Sequence, residues 1–129
     1  EKYVAYVFAP IQGFSQDGSF KGNGIADGPF IYTGFKPSFL ILKKTSATQD
    51  WQIRDNKRDP FNKDSSQILF ASIPDAEATS TNNIVNFVSN GFKIRGTGGD
   101  HNEAGGDFVY LAFAEHPFVT STGVPCTAR

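Results

Sequence analysis

The sequence contains no methionine, one cysteine, two histidines and one tryptophan among 129 residues, and these scarcities narrow the classes of function open to it. Cys126 stands alone, so an intrachain disulfide is impossible and a zinc site lacks its usual ligands. His101 lies in a glycine-rich stretch and His116 precedes a proline, and Cys126 meets either only if the tail folds back. No set of acid, base and nucleophile is legible, so the chain is expected not to be an enzyme.

Excess charge of one sign is also missing. Lys and Arg number 12 against 13 Asp and Glu, giving a formal net charge of −1. A sequence-independent nucleic-acid binder needs a basic surface to neutralise phosphates, so nucleic acid is not an expected partner. The longest apolar runs, such as Phe39-Leu40-Ile41-Leu42, are too short for a membrane-crossing helix, and no signal-peptide pattern opens the chain, so a soluble domain without membrane insertion is expected. A start at Glu1 with no methionine anywhere reads as a piece of a longer polypeptide.

What is abundant is aromatic: 13 Phe and 4 Tyr, with 13 Gly and 7 Pro as punctuation. Aromatic and β-branched residues suit pleated, half-buried surfaces, and frequent Gly and Pro suit short strands joined by tight turns. Lys2-Tyr3-Val4-Ala5-Tyr6-Val7-Phe8-Ala9 reads as a strand with Val4, Tyr6 and Phe8 on one face, stopped by Pro10 and Gly13. Asp17-Gly18 is a turn signal before Ser19-Phe20-Lys21, and the Gly22 to Pro29 segment reads as a loop. Gly22-Asn23-Gly24 lacks the following helix or Lys-Ser/Thr that a phosphate cradle needs.

Strands are expected at Phe30 to Thr33, at Phe39 to Lys44 as a central strand, and at Asp50 to Asp55 as a half-buried one. In the last, Trp51 and Ile53 face one way, toward the core, and Gln52 and Arg54 the other. The Asn56 to Asn83 segment reads as a surface excursion anchored by Gln67 to Ala71, with at most a marginal helical turn at Ser72 to Ala78. Ile84 to Val88 and Phe92 to Arg95 form a hairpin about Ser89-Asn90-Gly91, where Asn-Gly supplies positive φ angles. After a Gly96 to Gly106 loop, Asp107-Phe108-Val109-Tyr110-Leu111-Ala112-Phe113-Ala114 closes the core. Eight or nine short strands fit an all-β, antiparallel β-sandwich of jelly-roll-like type, with a closed barrel as the alternative.

The first and last strands match each other. Tyr3 to Ala9 aligns without gaps on Phe108 to Ala114, identical at Val4/Val109, Phe8/Phe113 and Ala9/Ala114, a self-similarity over about 105 residues that reads as a tandem unit. Residues 1–13 are then a first strand that closes a preceding repeat, residues 14–117 the sandwich module, and residues 118–129 an extended tail lying on a neighbour. Tyr3, Val4, Tyr6, Phe8, Phe118, Val119 and Val124 are the expected assembly residues.

Loops of a sandwich also carry ligands. Trp51 is a potential sugar-stacking platform, with packing beside Ile53 the blander alternative, and Arg54, Asp55, Arg58, His101 and Asn102 complete the candidate binding set. Asp55 with Arg58 equally suits a surface ion pair. The clusters Asp50, Asp55, Asp59, Asp64 and Asp100, Asn102, Glu103, Asp107 lack the spacing of an EF-hand, so neither metal nor cofactor is expected. A ligand site is sought among the loops at Gly22 to Pro29, Asn56 to Asn83 and Gly96 to Gly106.

Several segments together resemble a known family. Lys2 to Ala9 through Gly13-Phe14-Ser15, Gly22-Asn23-Gly24 with Asp27-Gly28-Pro29-Phe30, Gly34-Phe35-Lys36-Pro37, Asp50-Trp51, Ser89-Asn90-Gly91-Phe92-Lys93 and Val109 to Glu115 resemble a repeat module of tail-fibre and other virion structural proteins of aquatic tailed bacteriophages. Gly123-Val124-Pro125-Cys126 is similar to the C-terminal ending of such proteins. The resemblance spans nearly the whole chain and rests on turn and strand signatures. It implies a virion-surface setting and assigns no site. Copies of itself or other virion proteins are the expected partners, and a host surface glycan is the partner expected if the loops bind a ligand.

Overall fold

The computed structural model describes residues 2–118. The described residues form nine strands, β1 (Ser15–Lys21), β2 (Asp27–Tyr32), β3 (Pro37–Lys44), β4 (Gln52–Asp55), β5 (Ser66–Phe70), β6 (Ala78–Ser80), β7 (Ile84–Val88), β8 (Gly91–Arg95) and β9 (Asp107–Ala114), with one helical turn, α1 (Gly99–Asn102). They build an antiparallel sandwich: a six-stranded sheet in the order β1-β9-β3-β4-β5-β6 faces a three-stranded sheet in the order β2-β8-β7. The first three and last two strands alternate between sheets as in a jelly roll, whereas β4, β5 and β6 continue as a meander on the large sheet.

Register determines which residues meet inside. Leu40 lies opposite Ala112 and Leu42 opposite Tyr110, and on the small sheet Ile31 and Phe87 both lie opposite Phe92. These side chains, with Ile94 and Val85, form the buried cluster between the sheets. Phe20 stacks on Phe108 at 5.1 Å between centroids, and Phe92 meets Tyr110 edge-on at 5.1 Å. Each fully buried side chain of this kind contributes about 1.5–3 kcal/mol. β3, expected as a central strand, lies between β9 and β4.

Several local expectations are corrected. Asp17-Gly18 is no turn but part of β1, because Gly18 lies opposite Tyr110, where an added Cβ would come within 2.9 Å of its hydroxyl. The β7–β8 hairpin is present, but its two connecting residues are Ser89 and Asn90, and among the described residues none other than glycine has positive φ. Gly91 is needed for close approach instead: a Cβ there would lie 2.0 Å from the Ile31 carbonyl oxygen. Residues 72–78 are not helical, and the one helical turn lies in the segment expected to be irregular.

The largest departure is at the N-terminus. Residues 2–10 lie in no strand, although their pattern copies that of β9. Both places beside β9 are filled by β1 and β3 of the same chain, so the segment finds no place next to the strand it resembles and runs as an arm outside the sheets. Tyr6 is 84% and Val7 90% exposed, and Tyr3 and Val4 are exposed as well. Ser15 Oγ donates to the Ala9 carbonyl at 3.0 Å, and Phe8 meets Phe113 edge-on at 6.0 Å, which fixes the base of the arm against the outer face of the large sheet. Phe118 is exposed, its amide donating to Gly13 O at 3.2 Å; Val119 and Val124 lie outside the described residues.

Candidate functional site

The candidate surfaces follow from the same alternation. On the large sheet, Phe39 lies opposite both Phe113 and Asp55, and Ile41 opposite both Leu111 and Ile53, so these side chains share the face turned away from the small sheet. Phe113 is the hub of an aromatic group there, with Phe14 at 5.9 Å, Phe8 at 6.0 Å and Phe39 at 6.1 Å. Leu69, opposite Ile53, extends the patch. A solvated sheet face normally alternates to polar residues, so this one is unusually apolar.

Trp51, two residues before Ile53, is 46% exposed and belongs to that outer side, which corrects the expectation that it packs inward. Strand β4 is inverted relative to the hydrophobic pattern. Because Arg54 lies opposite Leu40 and Gln52 opposite Leu42, it is the polar pair that enters the sandwich, with Arg54 only 3% exposed.

Their burial is compensated by a hydrogen-bond network. Arg54 donates from Nη1 to Asn83 O at 2.6 Å and from Nη2 to Gln52 Oε1 at 2.7 Å. Gln52 Nε2 and Asn83 Nδ2 both donate to Asp100 Oδ2, at 2.9 and 2.6 Å. Burial pulls the Arg54 guanidinium down to about 10, with Asp100 and Asp59 opposing the fall, so it stays charged at neutral pH.

His101 and Asn102 are 0% exposed and cannot touch a ligand. They tie loops together. Asn102 Nδ2 donates to Ile25 O and Gly96 O, both at 2.8 Å, and its Oδ1 accepts from Asn23 N at 3.0 Å. The His101 ring nitrogens face Gly98 O at 3.1 Å and Arg95 O at 3.0 Å. Two carbonyls favour the doubly protonated ring, but complete burial and the positive charge of Arg54 outweigh them and hold its pKa below the ordinary value.

Asp55 and Arg58 pair with each other at 2.5 Å on the excursion, and Arg58 reaches Glu77 at 3.3 Å. Burial alone would raise the Asp55 carboxyl, but hydrogen bonds from Arg58 and the Lys57 amide carry it below its usual value. The six residues selected from sequence therefore share no concave surface: Trp51 faces outward, Asp55 pairs with Arg58 at the end of β4, and the other three are interior. Among the described residues no three His, Cys, Asp or Glu side chains converge as metal ligands.

A concave site does exist, on the outer side of the small sheet. Ile84 and Arg95 lie opposite each other in register and Asn86 opposite Lys93, placing Ile84, Asn86 and Arg95 on one face. Ala26, Gly96, Thr97, Lys63, Asp64, Thr81 and Asn82 complete the lining of a cleft of about 280 Å³, with Asn82 tied to the Gly96 loop by its carbonyl, which accepts from Gly98 N at 3.1 Å. The excursion is held there by Asn62, which donates from Nδ2 to Phe87 O at 2.8 Å and accepts from Phe87 N at Oδ1 at 3.0 Å. The three loops named from the sequence thus meet at one place, although Arg95 and Asn86 were not singled out. The signal for Arg95 was its alternation with the inward pair Phe92 and Ile94.

Residues 1–117 match a family model described as Domain of unknown function (DUF7483). The chain belongs to this family. No curated protein and no solved structure matches it. The match takes in the arm as well as the sandwich.

Proposed function

We propose that this DUF7483 domain is a non-enzymatic structural module of a phage virion surface, as part of a tail fibre, a capsid fibre or a head decoration. In this role, it is joined to neighbouring copies through its N-terminal arm and the apolar outer face of the large sheet. One observation carries the assembly role: an arm with the residue pattern of a core strand lies outside every sheet, with Val4, Tyr6 and Val7 exposed beside an aromatic face. A second copy is the occupant that suits both, because the arm supplies the apolar, strand-forming partner that such a face and an open sheet edge accept. The virion setting rests on the resemblance of the turn and strand motifs described above.

Light scattering over a concentration series tests the assembly role. The wild-type chain is expected to associate with rising concentration, and a Val4→Asp, Tyr6→Asp, Phe8→Asp triple variant to remain a folded monomer. A wild-type chain that stays monomeric throughout, or a variant that associates equally, would contradict it.

A second reading, binding of a carbohydrate on a host receptor, is favoured by the convergence of three loops on the cleft beside Arg95. It is compatible with the first, because the cleft and the apolar face lie on opposite outer sides of the sandwich.

A further inference from the structure

The cleft lining has a composition that narrows its ligand. Asp64, Asn82, Thr81 and Thr97 offer carboxylate, amide and hydroxyl groups to it, and Ile84 adds an apolar surface. Carboxylates and amides are the groups that hold the paired hydroxyls of a sugar ring. Two cations also line the cleft, and they differ. Lys63 pairs with Asp59 at 3.1 Å, whereas the Arg95 guanidinium makes no ion pair or hydrogen bond among the described residues. Its partner in register, Asp27, feels the Arg95 charge but is bonded to Lys93 at 2.7 Å.

A simple inorganic anion suits this lining poorly, since Asp64 in the wall and Asp59 behind Lys63 repel it. A neutral sugar leaves the Arg95 fork idle. A sugar that bears a carboxylate uses both halves: hydroxyls on the amide and carboxylate wall, and the acid group in a two-point bond with the guanidinium. A space of about 280 Å³ is at the lower end of ligand sites, a size for one or two sugar rings.

We infer that the cleft between the Arg95 strand and the Lys63 to Asp64 loop binds an acidic saccharide unit, with Arg95 selecting the carboxylate and Asp64 and Asn82 taking hydroxyls. This rests on the carbohydrate-binding reading and specifies it. The binding groups sit on rigid elements: Arg95 ends a strand whose carbonyl is held by His101, and Gly96 O accepts from Asn102.

Protein-observed NMR titration of the full chain with D-glucuronate, D-glucose and inorganic phosphate tests it. Shifts at Asn82, Arg95, Gly96 and Thr97 are expected with glucuronate at concentrations at least tenfold below those needed for glucose or phosphate. Arg95→Gln should abolish that preference and leave thermal unfolding unchanged. Asp64→Asn should weaken glucose, and weaken glucuronate less, because the lost hydroxyl acceptor is offset there by the loss of a charge that repels the sugar's carboxylate. Equal binding of glucose and glucuronate, undisturbed by Arg95→Gln, would overturn the role of the carboxylate while preserving carbohydrate binding. Phosphate binding as tightly as glucuronate would overturn the saccharide assignment, and no shift in the cleft with either sugar would overturn both.

Discussion

The two outer faces of this sandwich are built on the same alternation and end in opposite chemistry. On the large sheet the outward positions of β3, β4 and β9 carry Phe39, Ile41, Ile53, Leu111 and Phe113, and the arm rests on them through Phe8. On the small sheet the outward positions of β7 and β8 mix Asn86, Lys93 and Arg95 with Ile84 and Val88, and polar loop residues line the cleft there. One face has the character of an interface that loses water on contact, the other that of a recognition surface that stays wet. A domain with both can be held in an array by one side while presenting the other.

The cleft end of the sandwich is tied to the interior network of Arg54, Gln52, Asn83 and Asp100. Arg54→Ala would leave Asn83 O and Gln52 Oε1 without their donor and Asp100 without a nearby cation, and is expected to cost about 3–5 kcal/mol in chemical denaturation. This is the largest effect foreseen, and exchange of amides around Asn83 and Gly98 should rise before those of β3 and β9. A uniform loss across both sheets would show that the network supports the whole domain instead of the cleft end.

On the opposite side, Phe113→Ala removes the hub of the outer aromatic group. Because Phe113 is only half-buried, a cost of about 1–2 kcal/mol is expected, with weaker association. Unchanged association in this variant would separate the aromatic group from the interface.

Acid offers a gentler probe. The His101 ring is depressed below its ordinary value of 6.5, so the unfolded chain takes up the proton first. Stability is full above that value and declines as pH falls from it toward the depressed folded value, below which this contribution levels out. Denaturation midpoints measured across that window should slope downward with acid, and His101→Gln should reduce the slope while lowering stability at neutral pH. The smallest effect belongs to Arg95→Gln, expected to alter stability by no more than about 0.5 kcal/mol, since its guanidinium is exposed and makes no bond within the described chain. A larger loss by calorimetry would make Arg95 a structural residue.

The sequence announces some of this comparison and conceals the rest. Strands β3 and β9 are legible because they are apolar on both faces, and the β7–β8 hairpin because two alternating runs flank Ser89-Asn90-Gly91. The inversion of β4 is not legible: alternation tells which side chains share a face, but only pairing with Leu40 and Leu42 decides that Gln52 and Arg54 turn inward. The arm copies a core strand in composition, and nothing local reveals that its place beside β1 and β3 is taken by β9. The cleft was visible only as three loops, because its convergence comes from long-range ties such as Asn102 to Ile25 and Asn62 to Phe87.

The assembly role turns on what the arm does when copies meet. Hydrogen exchange of the amides of residues 3–9, followed from dilute to concentrated protein, measures this directly. Strand pairing with a neighbour predicts rapid exchange in dilute protein and protection that rises in step with association. Association that leaves these amides exchanging at the dilute rate would contradict the arm as the joint between copies.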